Sequence, residues 1–115
     1  MKDIEVLTNE LESFAAKRNW EQFHSPKNLA MALSGEAGEL LEIFQWLTEE
    51  QSKSLSDKQL QRVEEELADV FLYLLRIADK TGVNIIEAAS KKIEINEKKY
   101  PADKAYGNAT KYSDL

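Results

Sequence analysis

The sequence predicts an all-α fold, a four-helix bundle in a single domain. Apolar residues recur at helical spacing along almost the whole chain, and no alternating run of useful length marks a strand. Residues that start and stop helices divide the chain into four such segments. Because 115 residues leave room for one hydrophobic core, we expect residues 1–115 to form one domain, with 102–115 as a tail.

The first two helices are predicted from periodicity and from a capping signal. A first helix that ends near Asn19 is predicted from apolar residues at steps of three, four and three, namely Ile4, Leu7, Leu11 and Phe14. Ser25 and Pro26 then form a typical helix start, with serine as the N-cap and proline at the first helical position. The second helix is expected to run to about Leu47.

Two capping boxes predict the third and fourth helices. Ser56, followed three residues later by a glutamine, starts a third helix that extends to Lys80 and stops at a Thr-Gly pair. Asn84, followed three residues later by a glutamate, starts a fourth helix, and the proline after Tyr100 ends it. Short links between four helices are typical of a bundle.

Composition excludes several classes of function. The chain has no cysteine and one histidine, which excludes disulfides, thiolate metal sites, cysteine nucleophiles and histidine-rich metal centres. No apolar run approaches a membrane span, and Met1 leads into acidic, amphipathic sequence, so we expect a cytoplasmic protein without a membrane partner. A net charge of −6 opposes nonspecific binding of nucleic acid.

Polar residues interrupt three of the predicted helical core faces. Glu36 lies in the apolar seam of the second helix, and Glu39 follows one turn later. Asp69 is the exception in a run of nine residues on the third helix that is otherwise apolar, and Glu66 lies one turn before it. That run predicts that the third helix is buried on nearly all of its sides. Asn96 occupies a seam position of the fourth helix, so it is expected to face inward.

The four acidic side chains have almost no basic neighbour on their own helices, and only Glu66 has an arginine one turn away. Two carboxylates about 4 Å apart repel by roughly 4 kcal/mol at an effective dielectric of 20. Such a group would either take up protons or bind a divalent cation, Mg²⁺ or alternatively Mn²⁺. An ordinary acidic surface is the competing interpretation. A di-iron centre is excluded because no Glu-x-x-His pair is present.

These residues carry a family resemblance. The motif Glu-x-x-Glu, followed after a spacer by Glu-x-x-Asp, occurs as Glu36-Ala37-Gly38-Glu39 and Glu66-Leu67-Ala68-Asp69. Three longer stretches are more specific, and they are 20–28 (WEQFHSPKN), 44–46 (FQW) and 111–115 (KYSDL). The sequence thereby resembles the MazG-like all-α nucleoside triphosphate pyrophosphohydrolases, most closely their dCTP pyrophosphatase branch.

The resemblance implies an enzyme that hydrolyses a nucleoside triphosphate between the α and β phosphates, with dCTP or a modified dCTP as the favoured substrate. It implies Mg²⁺ ligands at Glu36, Glu39, Glu66 and Asp69, with Glu36 or Glu39 as the catalytic residue that activates water. It also implies a homo-oligomer, a dimer or tetramer. The implied substrate-binding residues are Trp20, His24, Asn28, Trp46, Tyr73, Lys92, Asn96 and Tyr100.

Two alternatives stay open at this point. The chain could be a non-catalytic acidic helical oligomer that binds a structural cation or a basic partner. Within the enzyme hypothesis, dUTP is a further candidate substrate, because related all-α enzymes act on it. The aromatic residues could also simply close the core, which is the commoner role of aromatic side chains at helix ends.

Overall fold

The computed structural model describes residues 2–115 and confirms the all-α fold. No strand occurs within that range. Residues 2–115 contain six helices, of which four are long. The helices are α1 (Ile4–Lys17), α2 (Pro26–Phe44), α3 (Glu49–Ser52), α4 (Asp57–Thr81), α5 (Ile85–Lys99) and α6 (Ala102–Ala105), with 3₁₀ turns at Glu21–Phe23 and Tyr112–Asp114.

The predicted helix starts are confirmed by their caps. The Ser25 hydroxyl accepts a hydrogen bond from the backbone N–H of the third helical residue at 3.1 Å, and the Ser56 hydroxyl does the same at 3.2 Å. Gly82, at φ +71°, ends α4 in the left-handed conformation that glycine adopts readily. The predicted second helix ends three residues early, at Phe44, because Thr48 caps the separate short helix α3 with its own capping box.

The chain divides into two compact units, one up to Gly82 and one from Val83 to Leu115. In the first unit, α1 and α2 both pack against α4. The buried apolar core of this unit comes from all three of these helices, and it consists of Ala15, Leu29, Ile43, Leu75 and Ala78. The pairing of α2 with α4 brings Glu36 and Glu39 of α2 close to Glu66 of α4.

The prediction that the third helix is buried nearly all round is wrong for the single chain. One stripe of α4 is open to solvent, and Leu67 in that stripe is 51% exposed. The apolar run was long enough to cover the whole circumference, but α1 and α2 pack against only part of it. Asn96 is likewise exposed on α5, so its predicted inward position is not observed.

The second unit consists of α5, α6 and the final 3₁₀ turn. The predicted tail is therefore partly helical. Its Tyr112 ring packs edge-on against Tyr100 with the ring centres 6.1 Å apart, and the Lys99 ammonium lies 4.8 Å from the Tyr112 ring centre. Across residues 2–115, no helix has the length and apolar character needed to cross a membrane.

Candidate active site

The packing of α2 on α4 brings three of the predicted metal ligands together. Glu36 and Glu39 lie one turn apart on α2, and Glu66 comes from α4. Each offers a carboxylate oxygen that lies within 4.8 Å of those of the other two. The spacing of residues along each helix predicted the two acidic pairs. The contact between α2 and α4 brings Glu66 to the pair on α2.

The charges in this cluster repel one another. Glu36 is half-buried, and its pKa is raised to about 7, first by burial and then by the adjacent Glu39 carboxylate. The pKa of Glu66 is raised as well, again first by burial and then by Glu39. Asp69 is exposed and is not among the three carboxylates that come together, but it lies one turn after Glu66 on α4, and its charge contributes to raising both of these pKa values.

The cluster contains two buried oxygens that lack any partner. The Oε2 atoms of Glu36 and Glu66 are buried, and no hydrogen-bond donor within residues 2–115 reaches them. No ion pair in that part of the chain includes either glutamate. Buried polar atoms are normally satisfied, so these two require a ligand outside the chain or a proton. An all-oxygen donor set suits a hard cation such as Mg²⁺, and the residues therefore fit the predicted metal.

A pocket of about 170 Å³ adjoins this cluster in the first unit. Its lining is mostly aromatic and apolar, and it consists of Leu11, Phe14, Trp20, His24, Asp69, Leu72, Tyr73 and Arg76. Trp20 packs edge-on against Phe14 and His24, with ring centres 5.7 and 6.2 Å apart. Asp69 belongs both to the acidic group and to the pocket wall, so the two features are continuous.

Three of the predicted substrate-binding residues line this pocket, namely Trp20, His24 and Tyr73. Asn28 does not line it, because its side-chain amide donates to the backbone carbonyl of Phe23 at 3.1 Å and so holds the 3₁₀ turn. Trp46 is not in the pocket either and is 86% exposed. Since α2 ends at Phe44, Trp46 lies in the turn that follows, where most of its side chain is open to solvent.

Lys92, Asn96 and Tyr100 lie on α5 or directly after it, in the second unit. They are spaced four residues apart and therefore share one face of the helix. All three are exposed. Their roles in binding sugar and phosphates stay predictions.

Sequence reasoning missed Arg76, which is only 4% exposed. Its Nε donates to His24 Nδ1 at 3.2 Å, and its Nη1 donates to Asp79 at 3.3 Å. Its Nη2 pairs with Glu21, which also binds Lys80. These contacts to Lys80 and Arg76 lower the pKa of Glu21. The sequence does indicate an unusual position here, because Arg76 is a cationic residue that directly follows the apolar run of α4.

Comparison with known proteins decides the family. The model of the MazG-like family matches residues 31–115, which include the four acidic residues predicted as metal ligands. The chain belongs to the MazG-like family. Among the relatives of this MazG-like chain, dCTP pyrophosphatase 1 of Homo sapiens is 42% identical and that of Mus musculus 43% identical. Each alignment covers the whole of this chain and 67% of the relative.

A solved structure agrees with this membership. The MazG-like chain superimposes on the crystal structure of a pyrophosphatase from Archaeoglobus fulgidus with a TM-score of 0.82 and 43% sequence identity. The match covers 88% of this chain and 94% of the other. The family resemblance predicted from the motifs is thereby confirmed.

Proposed function

We propose that this chain is a Mg²⁺-dependent nucleoside triphosphate pyrophosphohydrolase that cleaves the α–β phosphoanhydride bond. The products are a nucleoside monophosphate and pyrophosphate, and the favoured substrate is dCTP or a modified dCTP. The proposal is supported by relatives named dCTP pyrophosphatase 1 and by a similar fold in a protein described as a pyrophosphatase.

One observation carries the proposal. Asp69 lines the aromatic pocket and lies one turn after Glu66, the member of the acidic cluster on α4. A nucleotide has a flat, partly apolar base and a polyanionic phosphate chain. A pocket of aromatic rings that continues into a cation-binding group of carboxylates is complementary to both parts.

The cation would be held by Glu36, Glu39, Glu66 and Asp69. When bound, Mg²⁺ offsets the negative charge of the triphosphate and makes a nearby water more acidic. The carboxylates would hold the cation near the pocket, because Glu36 and Glu39 lie on one helix and Glu66 and Asp69 on the helix packed against it. Rigid helices of this kind position a site more accurately than loops do.

Glu36 or Glu39 accepts a proton from the attacking water. The water oxygen forms a new bond to phosphorus, the bond from phosphorus to the bridging oxygen breaks, and the bridging oxygen leaves with one of the two products. Trp20, Tyr73 and His24 enclose the base, so they orient the phosphate chain toward the carboxylates. Lys92, Asn96 and Tyr100 are assigned to sugar and phosphates on the family resemblance.

We further propose that the chain is a homo-oligomer. Four large apolar side chains remain exposed on α4, namely Leu60, Leu67, Phe71 and Leu74. Successive positions differ by seven, four and three residues, which places all four on one side of the helix. A contiguous apolar stripe of this kind is typical of an interface. A second copy of the chain would cover it.

The test of the reaction is to incubate the protein with dCTP and Mg²⁺ and to separate the products. We expect dCMP and pyrophosphate in equal amounts. Formation of dCDP and phosphate would contradict the proposed bond specificity. Parallel assays with dUTP and with methylated dCTP decide the base preference.

A further inference from the structure

The buried arginine of α4 makes a directional contact with the pocket. Arg76 Nε donates to Nδ1 of His24 at 3.2 Å, and His24 is one of the pocket residues. The other two guanidinium nitrogens also have partners, since Nη2 pairs with Glu21 and Nη1 with Asp79. A guanidinium fixed at three points cannot rotate away from the imidazole.

This contact determines where the imidazole carries its proton. Guanidinium nitrogens are only donors, so Nδ1 of His24 must accept and therefore has no hydrogen. The neutral ring then has its proton on Nε2. Burial, followed by the charge of Arg76, lowers the pKa of His24, which disfavours a second proton on the ring. Within residues 2–115, no hydrogen bond engages Nε2.

We propose that Arg76 is a positioning residue that fixes His24 as the Nε2–H tautomer, so that the pocket offers a hydrogen-bond donor to an acceptor on the ligand. The ligand class is a planar base whose edge carries a carbonyl oxygen or an unprotonated ring nitrogen. The identity of the ligand rests on the proposed function, whereas the tautomer does not. His24 then selects ligands as a fixed hydrogen-bond donor and does not act as an acid or a base.

The tautomer can be measured directly because His24 is the only histidine in the chain. We would label histidine with ¹⁵N and record long-range ¹H–¹⁵N spectra of the full chain without ligand, at mildly alkaline pH. The expected spectrum has a single neutral ring with an unprotonated Nδ1 and a protonated Nε2. A ring protonated at Nδ1, or at both nitrogens, would overturn the proposal.

Two variants separate the Nε–Nδ1 contact from general effects of the ion-pair network. Arg76→Lys keeps the positive charge but removes the planar donor, so we expect the two nitrogen signals to move toward values averaged over both tautomers. Asp79→Asn removes a different ion pair of Arg76 and leaves its Nε in place, so the wild-type spectrum should persist. An unchanged spectrum in Arg76→Lys would overturn the proposal, and the wild-type spectrum still decides the tautomer if that variant does not fold.

A second measurement tests whether Nε2–H of His24 donates to the ligand. Adding dCMP to the wild-type chain should shift the Nε2–H signal and leave Nδ1 unprotonated. For dCTP hydrolysis, Arg76→Lys should raise KM by about three- to tenfold and change kcat little, since one hydrogen bond to the base is weakened. A fall in kcat with unchanged KM would contradict the positioning role. If dCTP is not hydrolysed at all, the proposed function fails while the tautomer result stands.

Discussion

Two carboxylate oxygens distinguish the acidic cluster from an ordinary charged surface. Glu36 Oε2 and Glu66 Oε2 are buried without a donor, whereas solvated acids such as Glu42 lie exposed on the same helix. Leaving a charged group buried and unpaired is costly, so folding alone does not explain these two positions. The cation of the proposed function would satisfy both oxygens, and in its absence a proton does so in part, as the raised pKa of Glu36 indicates.

At the residue scale, Glu39→Gln should abolish most of the turnover while the fold is kept. Glu39 is exposed, so replacing it costs little packing, but it removes a ligand charge and a candidate base. We expect kcat to fall by about 10²-fold or more, with a melting temperature in the absence of Mg²⁺ that is unchanged or higher, because a repelling charge is removed. Pyrophosphate release and thermal unfolding are the two measurements.

Glu42→Gln is the matched control, because Glu42 lies on α2 one turn beyond Glu39 and outside the cluster. It should keep wild-type turnover. If Glu39→Gln instead lowers the melting temperature in the presence of Mg²⁺ and no variant or wild-type chain turns over dCTP, the cation is structural and the non-catalytic alternative is favoured.

At the scale of elements, the packing of α2 on α4 holds acidic side chains close together although their charges repel one another. The contact that buries Leu29 and Ile43 of α2 also holds the carboxylates of Glu36 and Glu66 together. The hydrophobic contact is thus opposed by electrostatic repulsion in the metal-free chain. This balance should depend on pH.

We expect the metal-free chain to lose stability as pH rises from 4.5 to about 7. The pKa of Glu36 is raised from 4.5 to about 7 in the folded chain, so the folded state holds more protons than the unfolded state in this range. The free energy of unfolding therefore falls as pH increases and levels off above the folded pKa. Chemical denaturation at a series of pH values, with a chelator present, measures the slope.

Glu36→Gln should flatten this slope, while Glu42→Gln should leave it unchanged. Saturating Mg²⁺ should restore stability at the upper end of the range, since the cation competes with protons for the same oxygens. A metal-free stability that rises with pH between 4.5 and 7 would show that other groups dominate the titration.

At the scale of the whole molecule, the exposed stripe of α4 predicts self-association. Leu67→Lys should disrupt it and shift the solution mass toward the 13.1 kDa of one chain, because a lysine cannot be buried unpaired in an apolar interface. Light scattering after size exclusion measures the mass. Wild-type protein should give two or four times that value.

Glu65→Lys is the control for this experiment, since position 65 lies on the opposite side of α4 from Leu67. It adds a lysine to the same helix and should leave the mass of the oligomer unchanged. A wild-type chain that runs at the mass of a single copy would contradict the prediction of an oligomer.

The sequence by itself determined the four long helices and the two acidic pairs. Ser25, Ser56 and Asn84 cap helices where predicted, because caps and periodicity act over one or two turns of contiguous chain. The Glu-x-x-Glu and Glu-x-x-Asp motifs were visible for the same reason. The single-domain organisation and the roles of the residues on α5 stay predictions.

Only the tertiary structure decided which of these residues meet. It joined Glu66 to Glu36 across two helices, left Trp46 exposed outside the pocket, and connected Arg76 to His24 over 52 positions of sequence. Contacts of this kind depend on how helices pack, and periodicity identifies an apolar face without saying what covers it. Local sequence therefore determined the four long helices, whereas the arrangement of charge and aromatic rings required the packed fold.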